Sequence, residues 1–433
     1  MRTDRATARP SPTLAALAAA LLLAAGPVAA QSSPWYLSGL LTTTHDDNLL
    51  RLGEGQNPLP GQSRSDTLTS TALIGGLDQA LGRQRLQANL ALRDNRFDRN
   101  DRYDNQSYSA GATLDWSTVN RLSGQLGVGR SRALSTFNAD VIGLLAQRNY
   151  ETSEGLTASI SVGLVTEWSL ELAAGQRRVR NSVDVASVQA QNLDQDNASL
   201  GVAWRPGAAL ETTLSLREVR GRFPTFRRVG DGFEDDRFTQ RGVDLAARWL
   251  VSGASQIEAR LGSGQTQYER GGDRDFDSLS GSLGWAWRPT GKLQFNTRLA
   301  REKGQDNYPT FVRVPVGFFL VDVPAVQSDL RTIDTLRTQA DWAATAKLAL
   351  SASVQLTRRD VASRTRTLQD DVLRGSAEGT DETTIATLGA RWSPARWALL
   401  GCDLRHETRR SRGSVTTALK GTSLACYAQG TLR

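Results

Sequence analysis

The 433-residue chain is poor in cysteine, methionine and histidine, with 2, 1 and 2 of each. Two cysteines in a chain of this length exclude a zinc or disulfide scaffold. Beyond the first 30 residues, no segment approaches the roughly 20 consecutive apolar residues that a transmembrane helix needs. These shortages exclude a helical membrane protein of several spans. They leave open the large soluble folds and the β-barrel membrane proteins, whose overall composition resembles that of soluble proteins.

The first 30 residues follow a three-part pattern. Arginines at positions 2, 5 and 9 precede an apolar run over 14–25, and small residues over 28–30 follow a Gly-Pro break. This pattern is typical of a secretory signal peptide, whereas the run is too short for a membrane anchor. We therefore predict a signal peptide over 1–30 and one exported domain over 31–433.

Charge and reactive side chains exclude further classes. The chain carries 52 basic and 45 acidic residues and a formal net charge of +7 at pH 7. The two signs are interleaved without a basic run, so no nucleic-acid partner is predicted. His45 and His406 lie near no recognisable serine or cysteine nucleophile, and no acidic cluster has the spacing of a calcium loop. We expect no catalytic residue, cofactor or metal site.

Two-residue alternation of apolar and polar side chains dominates the rest of the chain. It is clear over 86–93, 108–116 and 348–356, among other segments. Such alternation predicts strands with one apolar face, and helical periodicity appears nowhere at comparable length. Tryptophan recurs near the end of a strand, followed by a short turn, at a spacing of roughly 40–55 residues. Short turns are predicted near residues 79, 119, 167, 207, 253, 290, 345 and 395.

The other connections are long and polar. They are predicted over 45–66, 131–149, 179–194, 220–238, 303–330 and 359–381. Eight short turns, with a first strand near 36–44 and a last one near 417–432, give about 18 strands, with 16 as the alternative. The pattern predicts an all-β fold: a transmembrane antiparallel β-barrel over 31–433 with short periplasmic turns and long extracellular loops. A soluble sandwich or propeller is the competing interpretation.

The barrel interpretation assigns side chains to the membrane and to the lumen. The tryptophans predicted to form a periplasmic girdle are Trp116, Trp204, Trp249, Trp287, Trp342 and Trp392. The arginines predicted to line the lumen are Arg85, Arg93, Arg217, Arg248, Arg260, Arg298, Arg337, Arg391 and Arg405. The carboxylates with the same parity are Asp115, Glu211, Asp244, Glu258, Asp341 and Asp403. Most of these charges are expected to form ion pairs between strands, and the excess of arginine favours an anionic solute.

Four aromatic residues fall in two of the predicted long loops. Phe223 and Phe226 lie in one loop, and Tyr308 and Phe311 lie in another. Aromatic rings at these positions can fold inward and stack on sugar rings, or they can anchor the loops.

Cys402 and Cys426 lie on the last two predicted strands, symmetric about residue 414. Directly opposed residues of an antiparallel pair are close to disulfide range, and an exported protein meets an oxidising compartment. We predict a disulfide bond between them.

Several short motifs resemble those of one family. They are the segment 46–52 (DDNLLRL), Arg64–Thr67 before the next strand, 121–124 (RLSG), 130–134 (RSRAL), Arg148–Asn149, the Trp-Arg-Pro turns and the paired cysteines. Together they resemble the EpsL-type barrels of exopolysaccharide operons, which are associated with exosortase and polysaccharide export genes. The resemblance extends over essentially the whole chain after residue 30. The chain ends in Leu432-Arg433, where outer-membrane barrels often have an aromatic residue.

The resemblance implies an outer-membrane barrel in exopolysaccharide biosynthesis, acting as the exit pore for a secreted polysaccharide. The implied partners are the exopolysaccharide, a periplasmic polysaccharide export protein and a chain-length regulator. A barrel of this kind also contacts outer-membrane lipid and the barrel-assembly machinery. A general diffusion porin for small solutes is the alternative. A barrel enzyme acting on lipid or polysaccharide is less well supported, because it needs a nucleophile and base that the sequence does not provide.

Overall fold

A computed structural model describes residues 33–119, 121–135, 148–165, 167–270, 274–316, 319–367, 372–413 and 417–433. The predicted signal peptide lies outside these residues. The strands are β1 (Trp35–Asp46), β2 (Asp66–Leu81), β3 (Gln84–Phe97), β4 (Asn105–Ser117), β5 (Leu122–Leu134), β6 (Tyr150–Val165), β7 (Trp168–Asn181), β8 (Leu193–Trp204), β9 (Leu210–Val229), β10 (Gly232–Ser252), β11 (Ser255–Tyr268), β12 (Phe276–Thr290), β13 (Leu293–Val316), β14 (Phe319–Trp342), β15 (Leu348–Thr367), β16 (Leu373–Ala395), β17 (Ala398–Gly413) and β18 (Leu419–Leu432).

The 18 strands form one closed antiparallel sheet. Each strand pairs with its neighbours in the chain, and β1 pairs with β18 from Leu37 opposite Leu432 to Asp46 opposite Ser423. Closure removes the unpaired edges that an open sheet would expose to lipid. The predicted fold is therefore confirmed with 18 strands, and the alternative of 16 is excluded.

Apolar side chains point away from the lumen along every strand. Leu216, Leu261 and Leu388 are 58%, 55% and 61% exposed on this outer surface. A continuous apolar belt of this kind is the lipid-facing surface of a transmembrane barrel, because lipid replaces the core that a soluble protein would need. No helix within the described segments is long and apolar enough to cross a membrane.

Tryptophan marks one end of the barrel, which we call the Trp end. Trp116, Trp204, Trp249, Trp287, Trp342 and Trp392 all lie at or near strand ends beside short turns. The other four tryptophans of the chain, Trp35, Trp168, Trp285 and Trp397, lie at the same end. Trp168 and Trp204 stack with ring centroids 6.0 Å apart. We call the opposite end of the barrel the mouth.

Connections at the mouth differ in part from the sequence prediction. The segment 47–65 is a loop, as predicted. The segment 182–192 contains the short helix α1 (Ala186–Gln189), and residues 136–147 of another predicted loop lie outside the described residues. The segments 220–238, 303–330 and 359–381 were predicted as loops, but they are mostly strands that extend β9, β10 and β13–β16.

These extended strands rise beyond the apolar belt. There the ladder continues without the regular alternation of the belt, as over 359–366 of β15, where most side chains on both faces are polar. Cross-strand ion pairs stabilise it, as between Arg313 and Asp322, whose Nε and Oδ1 atoms are 3.1 Å apart. Buried apolar clusters are small and lie at the mouth, one around Leu50, Leu52, Phe97 and Tyr103.

Candidate functional site in the barrel lumen

The strand register places charged side chains in one lateral row on the lumen wall. Arg248 lies opposite Glu258, Glu258 opposite Gly284, Gly284 opposite Arg298, and Arg298 opposite Arg337. The row crosses β10 to β14, and all its members share the inward parity. We call it the arginine row.

Arg298 and Arg337 are like charges directly opposite each other on neighbouring strands. Among the described residues, neither forms an ion pair with a carboxylate, and Arg337 donates only to Gln339 Oε1, at 3.3 Å. Like charges directly opposed in a sheet destabilise it. Two exposed guanidinium groups in this arrangement attract an anion from the lumen solution.

Members of the row and two neighbouring residues enclose a depression in the wall. A cavity of about 410 Å³ is lined by Arg248, Arg260, Arg298, Glu211 and Glu258. Gly284 lies between Glu258 and Arg298, and a Cβ atom added there would approach nothing closer than 3.8 Å. The missing side chain leaves room for a solute between the carboxylate and the guanidinium group.

Five of the nine predicted lumen arginines form ion pairs. Arg85 pairs with Asp78 at 2.5 Å, and Arg217 and Arg260 share Asp244 at 3.4 and 3.0 Å.

The other two pairs lie nearer the end of the chain. Arg391 lies 3.8 Å from Asp341, and Arg405 lies 3.0 Å from Glu407. The other predicted carboxylates have different partners: Asp115 accepts a hydrogen bond from Gln125, and Glu211 pairs with Arg205 at 2.7 Å.

Four of the nine are not ion-paired within the described segments: Arg93, Arg248, Arg298 and Arg337. Three of these four belong to the arginine row. Among the nine predicted arginines, those free to act on a solute are therefore concentrated on β10–β14.

The wall formed by β4–β9 has small hydroxyl side chains. It encloses a groove of about 510 Å³. Among its lining residues are Ser123, Ser159, Ser161, Ser199, Thr213 and Ser215. Asp115 and Glu171 also line it, so this wall is slightly acidic. Hydroxyl groups donate and accept hydrogen bonds, so this surface suits hydrated or hydroxyl-rich solutes.

An aromatic cluster packs on the inner face of the mouth. Phe238 lies between Phe223 and Tyr268, with centroid distances of 5.8 and 5.4 Å. The guanidinium group of Arg274 lies 4.0 Å from the Tyr268 centroid and 5.2 Å from that of Phe226. Burial raises the pKa of the Tyr268 phenol, so the ring remains neutral at physiological pH.

The cluster changes the interpretation of the predicted loop aromatics. Phe223 and Phe226 belong to strand β9, and Phe223 is only 9% exposed. They anchor the mouth, because their rings are used in packing around the buried Arg274–Asp236 ion pair. Tyr308 and Phe311 lie on β13, and their side chains lie outside the described part of the structure.

The segment after β1 folds against the lumen side of the mouth. Asn48 is 1% exposed; its Nδ2 donates to the carbonyl oxygens of Leu52 and Lys420, and its Oδ1 accepts from Leu52 N. Arg51 has a positive φ of 53° and hydrogen-bonds Asp46 at 2.9 Å. Its Nε lies 3.8 Å from Glu407 on β17, so this segment connects β1 with β17 as well as with β18.

A second segment completes this structure, which we call the mouth cap (residues 47–65 and 98–104). Asp66 accepts hydrogen bonds from the backbone of Arg99 and Asn100, and Arg64 donates to the carbonyl oxygens of Gly53 and Gln56. Sequence reasoning did not identify these residues as a structural unit. Their signal was present, since 46–52 and 64–67 are two of the motifs that carry the family resemblance.

Cys402 and Cys426 form a disulfide bond on the outer surface, with Cα atoms 4.1 Å apart at directly opposed positions of β17 and β18. His45 and His406 also face outward, where each hydrogen-bonds a threonine of the adjacent strand. Within the described segments, no group of three histidine, cysteine or acidic residues could hold a metal ion.

No protein-family model and no curated protein sequence matches the chain. Solved structures with similar folds include OccK1 (OpdK) of Pseudomonas aeruginosa, with 14% identity, a TM-score of 0.49, and coverage of 92% of this chain and 99% of that one. OccAB3 of Acinetobacter baumannii has 11% identity, a TM-score of 0.48, and coverage of 93% and 100%. The siderophore receptor PirA of A. baumannii has 7% identity, a TM-score of 0.44, and coverage of 94% and 81%.

Proposed function

We propose that the protein is a passive channel of the outer membrane that admits small hydrophilic solutes and favours anions. Barrels of 16 to 18 strands leave an aqueous channel. The observation that carries the anion preference is the opposition of Arg298 and Arg337 without a carboxylate partner. An anion passing the arginine row relieves the repulsion between the two guanidinium groups, and a cation increases the unfavourable charge density.

Ion selectivity in a planar lipid bilayer tests this function. The purified barrel in a potassium chloride gradient should show a reversal potential of the sign expected for chloride preference. The double variant Arg298→Gln/Arg337→Gln should shift it toward zero or reverse it, because the lumen charge that attracts chloride is removed.

The matched control is Arg410→Gln/Arg412→Gln, which removes two arginines from exposed outward positions of β17. This control should keep the selectivity of the unmodified protein. Equal selectivity of the lumen variant and the unmodified protein would contradict the proposal.

A second candidate function is the exit pore for a secreted exopolysaccharide. Two observations favour it: the motif resemblance to EpsL-type barrels, and the hydroxyl-lined wall of β4–β9, which adjoins the arginine row. The expected partners are an anionic or neutral sugar polymer, a periplasmic polysaccharide export protein and a chain-length regulator.

Deletion of the gene, with complementation, separates the two functions. Loss of secreted polysaccharide with unchanged uptake of small anions supports the exit pore. Normal polysaccharide with reduced anion uptake supports the diffusion channel. If neither changes, both functions are wrong.

A further inference from the structure

The outer surface of the barrel has a groove in its apolar belt. Ala158, Ala174 and Ala198 occupy outward positions directly opposite one another on β6, β7 and β8. The lateral row continues through Glu218 on β9 to Arg241 on β10. Because alanine is shorter than the neighbouring side chains, the outer surface is depressed along the three alanines. From this depression the row leads to the ion pair between Glu218 and Arg241.

Long apolar side chains border the depression. Ile160, Leu172, Leu200, Leu216 and Val243 are 41%, 44%, 44%, 58% and 44% exposed. Together with the alanines they line a cavity of about 1170 Å³. This volume is somewhat above the roughly 300–1,000 Å³ of clefts that hold drug-sized ligands. Since the groove lies in the lipid-facing belt, an acyl chain is the chemistry that fills it.

A charged group closes the groove at the mouth side. Arg241 Nε lies 2.9 Å from Glu218 Oε2, and Arg220 Nη2 lies 2.6 Å from Glu218 Oε1. Both arginine side chains remain more than 70% exposed. One carboxylate holds two guanidinium groups in place, and their remaining N–H groups point to the membrane surface.

Two more arginines lie beside this ion pair. The next outward positions contain Arg222 and Arg237, which share Asp235 at 2.9 and 3.1 Å. Four arginines and two carboxylates therefore carry a net charge of +2 on β9 and β10. Two further carboxylates border the region: Asp196 on β8, to which Gln176 donates a hydrogen bond, and Asp277 on β12, which lines the cavity. Arginine binds phosphate through charge-assisted and often bidentate hydrogen bonds.

We propose that this groove binds one phosphorylated glycolipid of the outer leaflet, with acyl chains on the alanine floor and a phosphate between Arg220 and Arg241. The charged end lies on the side away from the Trp end, which is the side of the outer leaflet if the short turns are periplasmic. Phosphate supplies a second anion to two exposed guanidinium groups that share the single carboxylate of Glu218. A second copy of the barrel fits the groove less well. Its apolar belt would have to bury the exposed guanidinium groups of Arg220 and Arg241.

Native mass spectrometry of the full-length barrel in detergent tests the proposal, with diphosphorylated lipid A, dephosphorylated lipid A and phosphatidylglycerol as probes. Diphosphorylated lipid A should bind at least ten-fold more tightly than either other lipid. Arg220→Gln/Arg241→Gln should abolish this preference, and Ala174→Phe/Ala198→Phe should weaken binding of all forms of lipid A.

The control Arg410→Gln/Arg412→Gln should bind as the unmodified protein does. Far-ultraviolet circular dichroism should confirm that every variant is folded, which is expected because the exchanged side chains face outward and leave the strand ladders intact. Equal binding of the dephosphorylated lipid or of phosphatidylglycerol would overturn the proposal. Undiminished binding by both the arginine and the alanine variants would also overturn it.

Discussion

Many of the buried polar residues in this barrel lie at the mouth, where single side chains hold loops by hydrogen bonds. Asn48 is the clearest case, since its amide makes two hydrogen bonds to Leu52 within the mouth cap and one to the carbonyl oxygen of Lys420 on β18. Leaving buried hydrogen-bonding groups without partners costs about 1–3 kcal/mol. The side chain at position 48 therefore decides whether the mouth cap stays in place.

We predict that Asn48→Ala opens the mouth cap locally without unfolding the barrel. Hydrogen exchange of a peptide covering 47–56 should accelerate by at least ten-fold, because about 1.4 kcal/mol of local stability corresponds to that factor. Asn89→Ala, at an exposed lumen position of β3, serves as the control and should leave exchange in this peptide unchanged. Unaltered protection in Asn48→Ala would show that the apolar cluster alone retains the cap.

Gly221 lies at a position where the packing leaves no room for a side chain. A Cβ atom at this position would lie 2.0 Å from the ring of Phe238, which Phe223 and Tyr268 hold from either side. Gly221→Ala should lower the free energy of unfolding by about 1–3 kcal/mol, as overpacking does.

Gly304→Ala is the matched control, because nothing lies within 4 Å of a Cβ atom there. Urea unfolding followed by tryptophan fluorescence measures both variants. A Gly221→Ala midpoint equal to that of Gly304→Ala would show that the ring moves aside without cost.

At the scale of elements, the β17–β18 hairpin has a covalent link that the other 16 strands lack. The disulfide bond joins residues 24 positions apart. A closed loop of this length stabilises the folded state by about 3 kcal/mol relative to the unfolded chain.

We predict that Cys402→Ser/Cys426→Ser lowers the urea midpoint and that reduction of the unmodified protein has the same effect. The reduced double variant is the control, since a reducing agent should not change its midpoint. An equal midpoint for the oxidised and the reduced unmodified protein would contradict this prediction.

The strands within the membrane could be predicted from the sequence, and those beyond it could not. Alternation over 86–93 is enforced by lipid on one face and water on the other. Over 359–366 most side chains on both faces are polar, so the pattern disappears although the ladder from Leu348–Trp392 to Arg366–Leu373 continues. Polarity alone therefore gave the wrong prediction of a loop.

The alternation of the sequence predicts which arginines face the lumen, but it does not predict which residues they contact. Arg298 and Arg337 become neighbours only through the register of β13 and β14. The mouth cap depends on contacts between residues as far apart as Asn48 and Lys420. Contacts over such separations have no signature in local sequence, so the uncompensated charge of the arginine row required the structure.

At the scale of the whole molecule, the lumen field depends on salt. The Debye length is about 10 Å at 0.1 M and about 3 Å at 1 M ionic strength. We predict that the chloride-to-potassium permeability ratio of the unmodified protein falls as salt rises over this range, because exposed charges are screened.

In Arg298→Gln/Arg337→Gln the ratio should depend less on salt. Bilayer measurements at the two concentrations give the comparison. A ratio independent of salt in the unmodified protein would indicate that selectivity arises from pore size rather than from charge.

Closure of the sheet between β1 and β18 has a consequence for how the molecule forms. Leu37 and Leu432 are paired although 395 residues separate them. Seventeen strand pairs connect neighbours in the chain and can form in succession, whereas this one must await the final segment. Loop-closure entropy and contact order both make such a distant pairing slow. Until β1 and β18 pair, the sheet has two edges with unpaired backbone groups. This last pairing therefore sets the time that the sheet stays open, and during that time the chain is most exposed to misassembly.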